Sequence, residues 1–131
     1  MMSYGDTPAL WIVVQQVGAQ RLLRLVLTGE LDAISAAELH GQLVAGLAAA
    51  TPSAVELDLA AVTFLDAAGV RCLIGCLHDV EGAGSTFAIV DPSEVVCQVL
   101  RISGLIDILG VRQKAPGRLS TKIEPPSGAG S

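Results

Sequence analysis

Few residues in this 131-residue chain can do chemistry, and their spacing narrows what that chemistry could be. Three cysteines stand at Cys72, Cys76 and Cys97, and two histidines at His40 and His78. Cys72 and Cys76, four apart, share one face of a helix, where two thiols could hold a metal. Neither His40 nor His78 completes a zinc spacing, so no metal site is expected and the thiols read as small apolar packing. Both histidines fall in helical stretches and are read as lacking an acidic helper. There is no nucleophile paired with a base, no G-x-S-x-G and no phosphate-cradling glycine loop, so neither an enzyme nor a cofactor is expected. What remains is Ala60–Arg71, AAVTFLDAAGVR. It joins a strand-like run to a helix-like run, with Asp66 where a helix cap belongs. Ala67, Ala68 and Gly69 follow it.

The flanking elements must position that junction. Leu10–Gln15 and Arg21–Thr28 read as two antiparallel strands joined by a loop over Gln16–Gln20, with Gly29–Asp32 ending the second. Ser35 followed by Glu38 reads as a capping box opening a helix to Ala50, whose Leu39, Leu43, Val44 and Leu47 share one face. Thr51–Pro52 ends it. Ala54–Leu59 alternates Val55, Leu57 and Leu59 against Glu56 and Asp58, as a strand does. Beyond the junction, Val70, Leu73, Ile74 and Leu77 repeat at helical spacing up to Gly82 and Gly84. Arg71, Cys72, Gly75 and Asp79 fall on the other side, a small and weakly polar face that would admit a partner. Ser85–Val90 reads as a strand, and Asp91–Ser93 opens a helix over Glu94–Ile102 with Val95, Val99 and Ile102 on one face. Leu105–Val111 is either a strand or a short turn of helix. The order β-β-α-β-α-β-α implies right-handed crossovers and one mixed sheet. The expected class is α/β, with helices packed mainly on one face.

Composition sets the outer limits. Half the residues are apolar but aromatics make up only 3%, so the core must be aliphatic. Apolar runs stop well short of the ~20 residues of a spanning helix. The start has no basic segment followed by an apolar one, as a secretory signal would. A cytoplasmic protein with an unpaired set of thiols is the expectation. Residues 1–111 carry twelve acidic and four basic side chains, and residues 112–131 carry one acidic and four basic. An acidic body argues against direct binding to nucleic acid. Residues 1–9 read as a flexible arm, 10–111 as one domain, and 112–131 as a disordered tail rich in proline and glycine.

Three stretches together resemble the STAS domain family, whose small stand-alone members are bacterial anti-sigma factor antagonists. They are LVLTGELDAISAAEL (Leu25–Leu39), VELDLAAVTFLDAAGVRCLI (Val55–Ile74) and LRISGLIDIL (Leu100–Leu109). The resemblance spans Leu10–Val111 and implies the STAS fold, with its last strand at the end of the third stretch. It also implies a partner, an anti-sigma factor of the serine kinase type. In the family that kinase phosphorylates a serine following the loop aspartate, and the phosphate breaks the complex.

Matched residue by residue, the aspartate is Asp66, the acceptor position is Ala67, the next small residue is Ala68, and Gly69 matches the family glycine. The acceptor is therefore missing. Alanine cannot be phosphorylated and carries no charge to mimic phosphate, so the resemblance implies an antagonist not switched off at Ala67. Asp32 ends the Gly-Glu-Leu-Asp pattern and is expected beside Asp66, on the edge that contacts the partner. Partner-binding residues are thus expected at Asp32, Asp66, Ala67, Ala68, Gly69, Arg71 and Cys72. Thr63 and Ser35 are the hydroxyls that could serve as displaced acceptors, and a redox change at Cys72 could replace the lost switch. The other implied roles are an accessory subunit of a lipid transporter and a scaffold or sensor module. Homodimer formation is left open.

Overall fold

A computed structural model describes residues 9–18 and 21–113. The expected arm and tail lie almost wholly outside them. Strand β1, Leu10–Val17, pairs antiparallel with β2, Leu22–Leu31. Helix α1, Ala33–Ala50, then crosses to β3, Ala54–Leu65, and α2, Ala67–Gly82, crosses to β4, Thr86–Val90. Helix α3, Glu94–Ile102, follows. The four strands lie in sequence order in one sheet, with β2, β3 and β4 parallel. This is the expected mixed α/β sheet.

One face of the sheet is dry. Leu23, Leu25 and Leu27 of β2, Val55, Leu57 and Leu59 of β3, and Ile89 of β4 form one buried cluster. The same cluster takes Leu39 and Leu43 from α1, Leu73, Cys76, Leu77 and Val80 from α2, and Val96 and Leu100 from α3. Period-two alternation in the strands meets 3.6-residue periodicity in the helices, which is why a single aliphatic core forms. Two helical stripes differ from expectation. Val44 of α1 is exposed, and in α3 Val95 and Ile102 are exposed while Val96 and Leu100 go inward. Choosing Val95 over Val96 rotates a helical stripe by one position, and β-branched residues on either side hide the difference.

The opposite face of the sheet carries charge. Glu56 is held by Arg24 of β2 at 2.7 Å and by Arg112 at 2.8 Å. Burial pushes the Glu56 carboxyl up, but the hydrogen bonds and charges of the two guanidinium groups outweigh it and hold it below the ordinary value. A depressed carboxylate contributes stability that is present above its unfolded pKa, about 4.3, and lost as pH falls through the folded one. Glu56→Gln is therefore expected to cost about 1 kcal/mol at neutral pH. Thermal melts of the two proteins should converge as pH falls through the depressed folded pKa of Glu56.

The ends of the strands depart from the sequence reading in a consistent way. The second strand does not stop at Gly29. That residue has φ +121 and lies so close to Ala9 that a Cβ would meet its carbonyl oxygen at 2.1 Å. Glycine therefore makes an irregularity inside β2, and the strand runs on to Leu31. β3 likewise continues past Leu59 to Leu65, with register shifts opposite Val26–Thr28 and Gly29–Glu30. At the first, Asp58 accepts from the Ala60 N–H; at the second, the Thr63 hydroxyl donates to Gly29 O. Extra residues at bulges break the alternation by which a strand is read, which is why the sequence pattern ends the strand at Leu59.

Leu105–Val111 forms successive turns and not a strand, correcting the last strand that the resemblance implied. It ends in a single parallel bridge from Arg112 to Val90, with Ile89 N–H donating to Leu109 O and Arg112 N–H to Ile89 O. These bonds occupy the outer edge of β4. Above them, Ser93 covers the free upper edge of β3. Its N–H donates to Leu59 O and its hydroxyl to Val62 O at 2.6 Å.

Candidate functional site

Leu31 and Leu65 are register partners at the ends of parallel β2 and β3. Asp32 and Asp66 come next in each strand, and each caps the helix that follows. Two helix N-termini, each fronted by a carboxylate, therefore open at the same end of the sheet. Asp66 accepts from Gly69 N–H at 2.9 Å, and its own N–H reaches toward Leu31 O at 3.4 Å. Each cap satisfies amides that have no partner inside the helix, worth about 1 kcal/mol.

The first cap corrects the sequence reading. Asp32, not Ser35, is the N-cap of α1, and Ser35 is its N3 partner in a reciprocal box. Asp32 accepts from the N–H groups of Ile34 and Ser35, both at 3.0 Å, and Ser35 Oγ accepts from Asp32 N–H at 2.9 Å. The Ser35 backbone bond leads the effects that hold the Asp32 carboxyl below its usual range. Ser35 is buried, and its Oγ also lies 2.8 Å from Glu30 O. A Ser-x-x-Glu pattern lay beside an Asp-x-x-Ser pattern, and the aspartate won because it directly follows the last strand residue.

Ala67 is the first residue of α2 and is exposed; Ala68 is half-buried. Gly69 is buried, and a Cβ there would stand 2.4 Å from Leu31 O and 2.6 Å from Leu65 Cδ1. This close approach locks α2 onto the end of β2. Arg71 is exposed. Thr63 is exposed on the β3 bulge.

Part of the face expected to admit a partner, at Cys72 and Asp79, meets α1 instead. Cys72 donates its thiol to Ala36 O at 3.5 Å, and Asp79 Oδ2 lies 2.7 Å from His40 Nε2. His40 thus has the acidic neighbour that the sequence did not disclose, thirty-nine residues away on the facing helix. Cys76 is fully buried in the core, and its thiol is pushed up by Cys72 and by burial. Among the described residues, no three His, Cys, Asp or Glu side chains come together as a metal site. Nor is any described helix long and apolar enough to cross a membrane.

Sequence reasoning missed two apolar residues at the same end of the sheet. Ile34, in the first turn of α1, is 84% exposed, and Phe64, the register partner of Glu30, is 45% exposed. Ile34 sits one position before the Ser35–Leu39–Leu43 stripe, and Phe64 one before Leu65. An apolar residue out of phase with its own element was the available signal.

The family described as "Mlab, STAS domain" matches residues 14–110. The chain belongs to the STAS domain family. Its fold is similar to that of an anti-sigma factor antagonist from Mycobacterium paratuberculosis, with TM-score 0.70 and 21% identity over 83% of this chain and 89% of that one. It is also similar to the anti-sigma factor antagonist SpoIIAA in its unphosphorylated form, with TM-score 0.68 and 18% identity over 82% and 91% of the two chains. The phosphorylated form of the Bacillus protein SpoIIAA is similar at TM-score 0.63 and 17% identity, over 82% and 95%.

Proposed function

We propose that this STAS domain is an anti-sigma factor antagonist whose partner docks on the end of the sheet bearing Asp32 and Asp66. The observation that carries this reading is the exposed, uncharged Ala67 at the start of α2, beside two aspartate caps. Small Ala67 and Ala68 allow close approach. Ile34 and Phe64 supply the apolar anchors that interfaces concentrate at their centre, and Arg71 adds a cation one turn along. Gly69 and Cys72 support the surface from beneath.

Phosphate would bring about −1.5 to −2 charges to such a contact. Ala67 cannot accept it, and Ser35 is buried within its capping box, which leaves Thr63, exposed three residues before Asp66, as the other acceptor. The reading therefore describes a partner that is bound without a switch at position 67. Capture of partners from native cells, followed by mass spectrometry, is expected to return an anti-sigma factor of the kinase type. Recovery of lipid-transport subunits instead would replace this reading. With that kinase and ATP, the wild-type protein should stay unmodified and Ala67→Ser should gain one phosphate. A phosphorylated wild-type peptide containing Thr63 would move the switch there.

A further inference from the structure

The outer edge of β1 is open among the described residues, and its composition is unusual for an open edge. The strand reads LWIVVQQV, eight residues without a charge or a proline. Trp11, Val13, Val14 and Val17 are all substantially exposed. Native sheets ordinarily blunt such an edge with lysine, proline or a covering segment.

The ladder to β2 fixes which groups are free. Glu30 N–H donates to Ala9 O, so Ala9 and Glu30 form a hydrogen-bonded pair. Antiparallel pairs alternate, so residues 11, 13, 15 and 17 also bond to β2. The N–H and C=O groups of Leu10, Ile12, Val14 and Gln16 consequently point outward. Water can serve such a row, but among protein partners it is a second β-strand that matches it.

We infer that β1 pairs antiparallel with β1 of a second copy about a two-fold axis near Val13, joining two four-stranded sheets into one of eight. Three features select a second copy. An axis at Val13 sets Ile12 opposite Val14 and Leu10 opposite Gln16, so all four outward-facing residues find partners without juxtaposing like charges. The side chains of these residues lie on the helix side, where an open groove of about 620 Å³ runs between β1 and α1. Its apolar floor, Leu10, Ile12 and Ala37, would receive the second copy's Val14, and its polar wall, Glu38 and Gln42, the second copy's Gln16. Finally, the far edge of the sheet at β4 is occupied by residues 109–112, so the pairing closes as a dimer and does not propagate. A contact of one strand per copy is small, so affinity in the micromolar range, on the order of 10–100 µM, is expected.

Sedimentation equilibrium of the full chain should give a monomer–dimer equilibrium. Deuterium exchange at Ile12, Val14 and Gln16 should slow as concentration rises. Val13→Lys and Val13→Glu should each weaken self-association by roughly tenfold or more, because like charges meet on the axis. Their melting temperatures should stay near wild type, since Val13 is exposed. An equimolar mixture of the two variants should regain the dimer as a heterodimer. A wild-type chain that remains monomeric at several hundred micromolar overturns the inference, including the case in which deleting residues 114–131 then permits pairing. So does a dimer indifferent to charge at position 13. Neither outcome depends on the antagonist reading: Ile34 borders both surfaces, but the readouts are self-association and charge at position 13, not binding at Ala67.

Discussion

Replacing Ala67 by aspartate is expected to separate partner binding from stability. Position 67 is the first turn of α2, where a carboxylate meets the positive end of the helix and is favourable by about 0.3–1 kcal/mol. The neighbouring Asp66 offsets part of that, so the melting temperature should hold or rise slightly. For binding the sign is opposite. The new charge would stand on an exposed surface beside one capping aspartate and near a second, where the partner must desolvate it. The dissociation constant for the captured anti-sigma factor should rise at least tenfold, about 1.4 kcal/mol or more. Ala67→Asn adds nearly the same bulk without charge and should weaken binding less. Equal binding by all three proteins would remove Ala67 from the interface. A loss shared by asparagine and aspartate would make the effect steric.

How much of this was written in the sequence depends on whether the deciding contact was local. Asp66 as a cap was legible because the amide it accepts from, Gly69 N–H, lies three residues away. The Glu94–Ile102 helix opened by Asp91–Ser93 was legible for the same reason, and within that stretch Ser93 is the cap. The Asp32 cap was equally local but competed with a second pattern, and only the length of β2 decides between them. That length depends on Gly29, whose φ of +121 goes with its closeness to Ala9, just before the neighbouring strand. The bulges that carry β3 to Leu65 are defined by pairing with β2, some thirty residues away, and cannot be read from either strand alone.

The helix faces divide in the same manner. Amphipathic periodicity located the buried stripe of α2, because Leu73 and Leu77 must leave water. It could not say whether Cys72 and Asp79 face solvent or a second helix. Weakly polar residues suit both, and the structure settles the matter with Ala36 and His40 of α1. The STAS assignment survived these errors because it rests on the order of strand–cap–helix units and not on their boundaries.

Gly69 and Gly75 lie in the same helix and should respond oppositely to alanine. At Gly75 an added Cβ meets nothing within 4 Å. The substitution there only removes backbone freedom from the unfolded chain, stabilising by roughly 0.5–1 kcal/mol. At Gly69 the Cβ would overlap Leu31 O at 2.4 Å and Leu65 Cδ1 at 2.6 Å. The leucine tip can turn aside, but the carbonyl belongs to the end of β2 and is followed directly by the Asp32 cap. Relief requires α2 to lift from the sheet, stretching the contact of Asp66 N–H with Leu31 O. Overpacking of this kind costs ~1–3 kcal/mol, and backbone involvement puts Gly69→Ala at about 2 kcal/mol net of its gain in helix propensity. For a domain of this size the melting temperature should fall by roughly 10 °C. Because that lift would displace the floor on which Ala67 and Asp66 stand, partner binding should weaken with it, whereas Gly75→Ala should bind as wild type. A Gly69→Ala protein as stable as wild type would mean that the two cap-bearing ends are not locked together. The shared surface of Asp32 and Asp66 would then lose its physical basis.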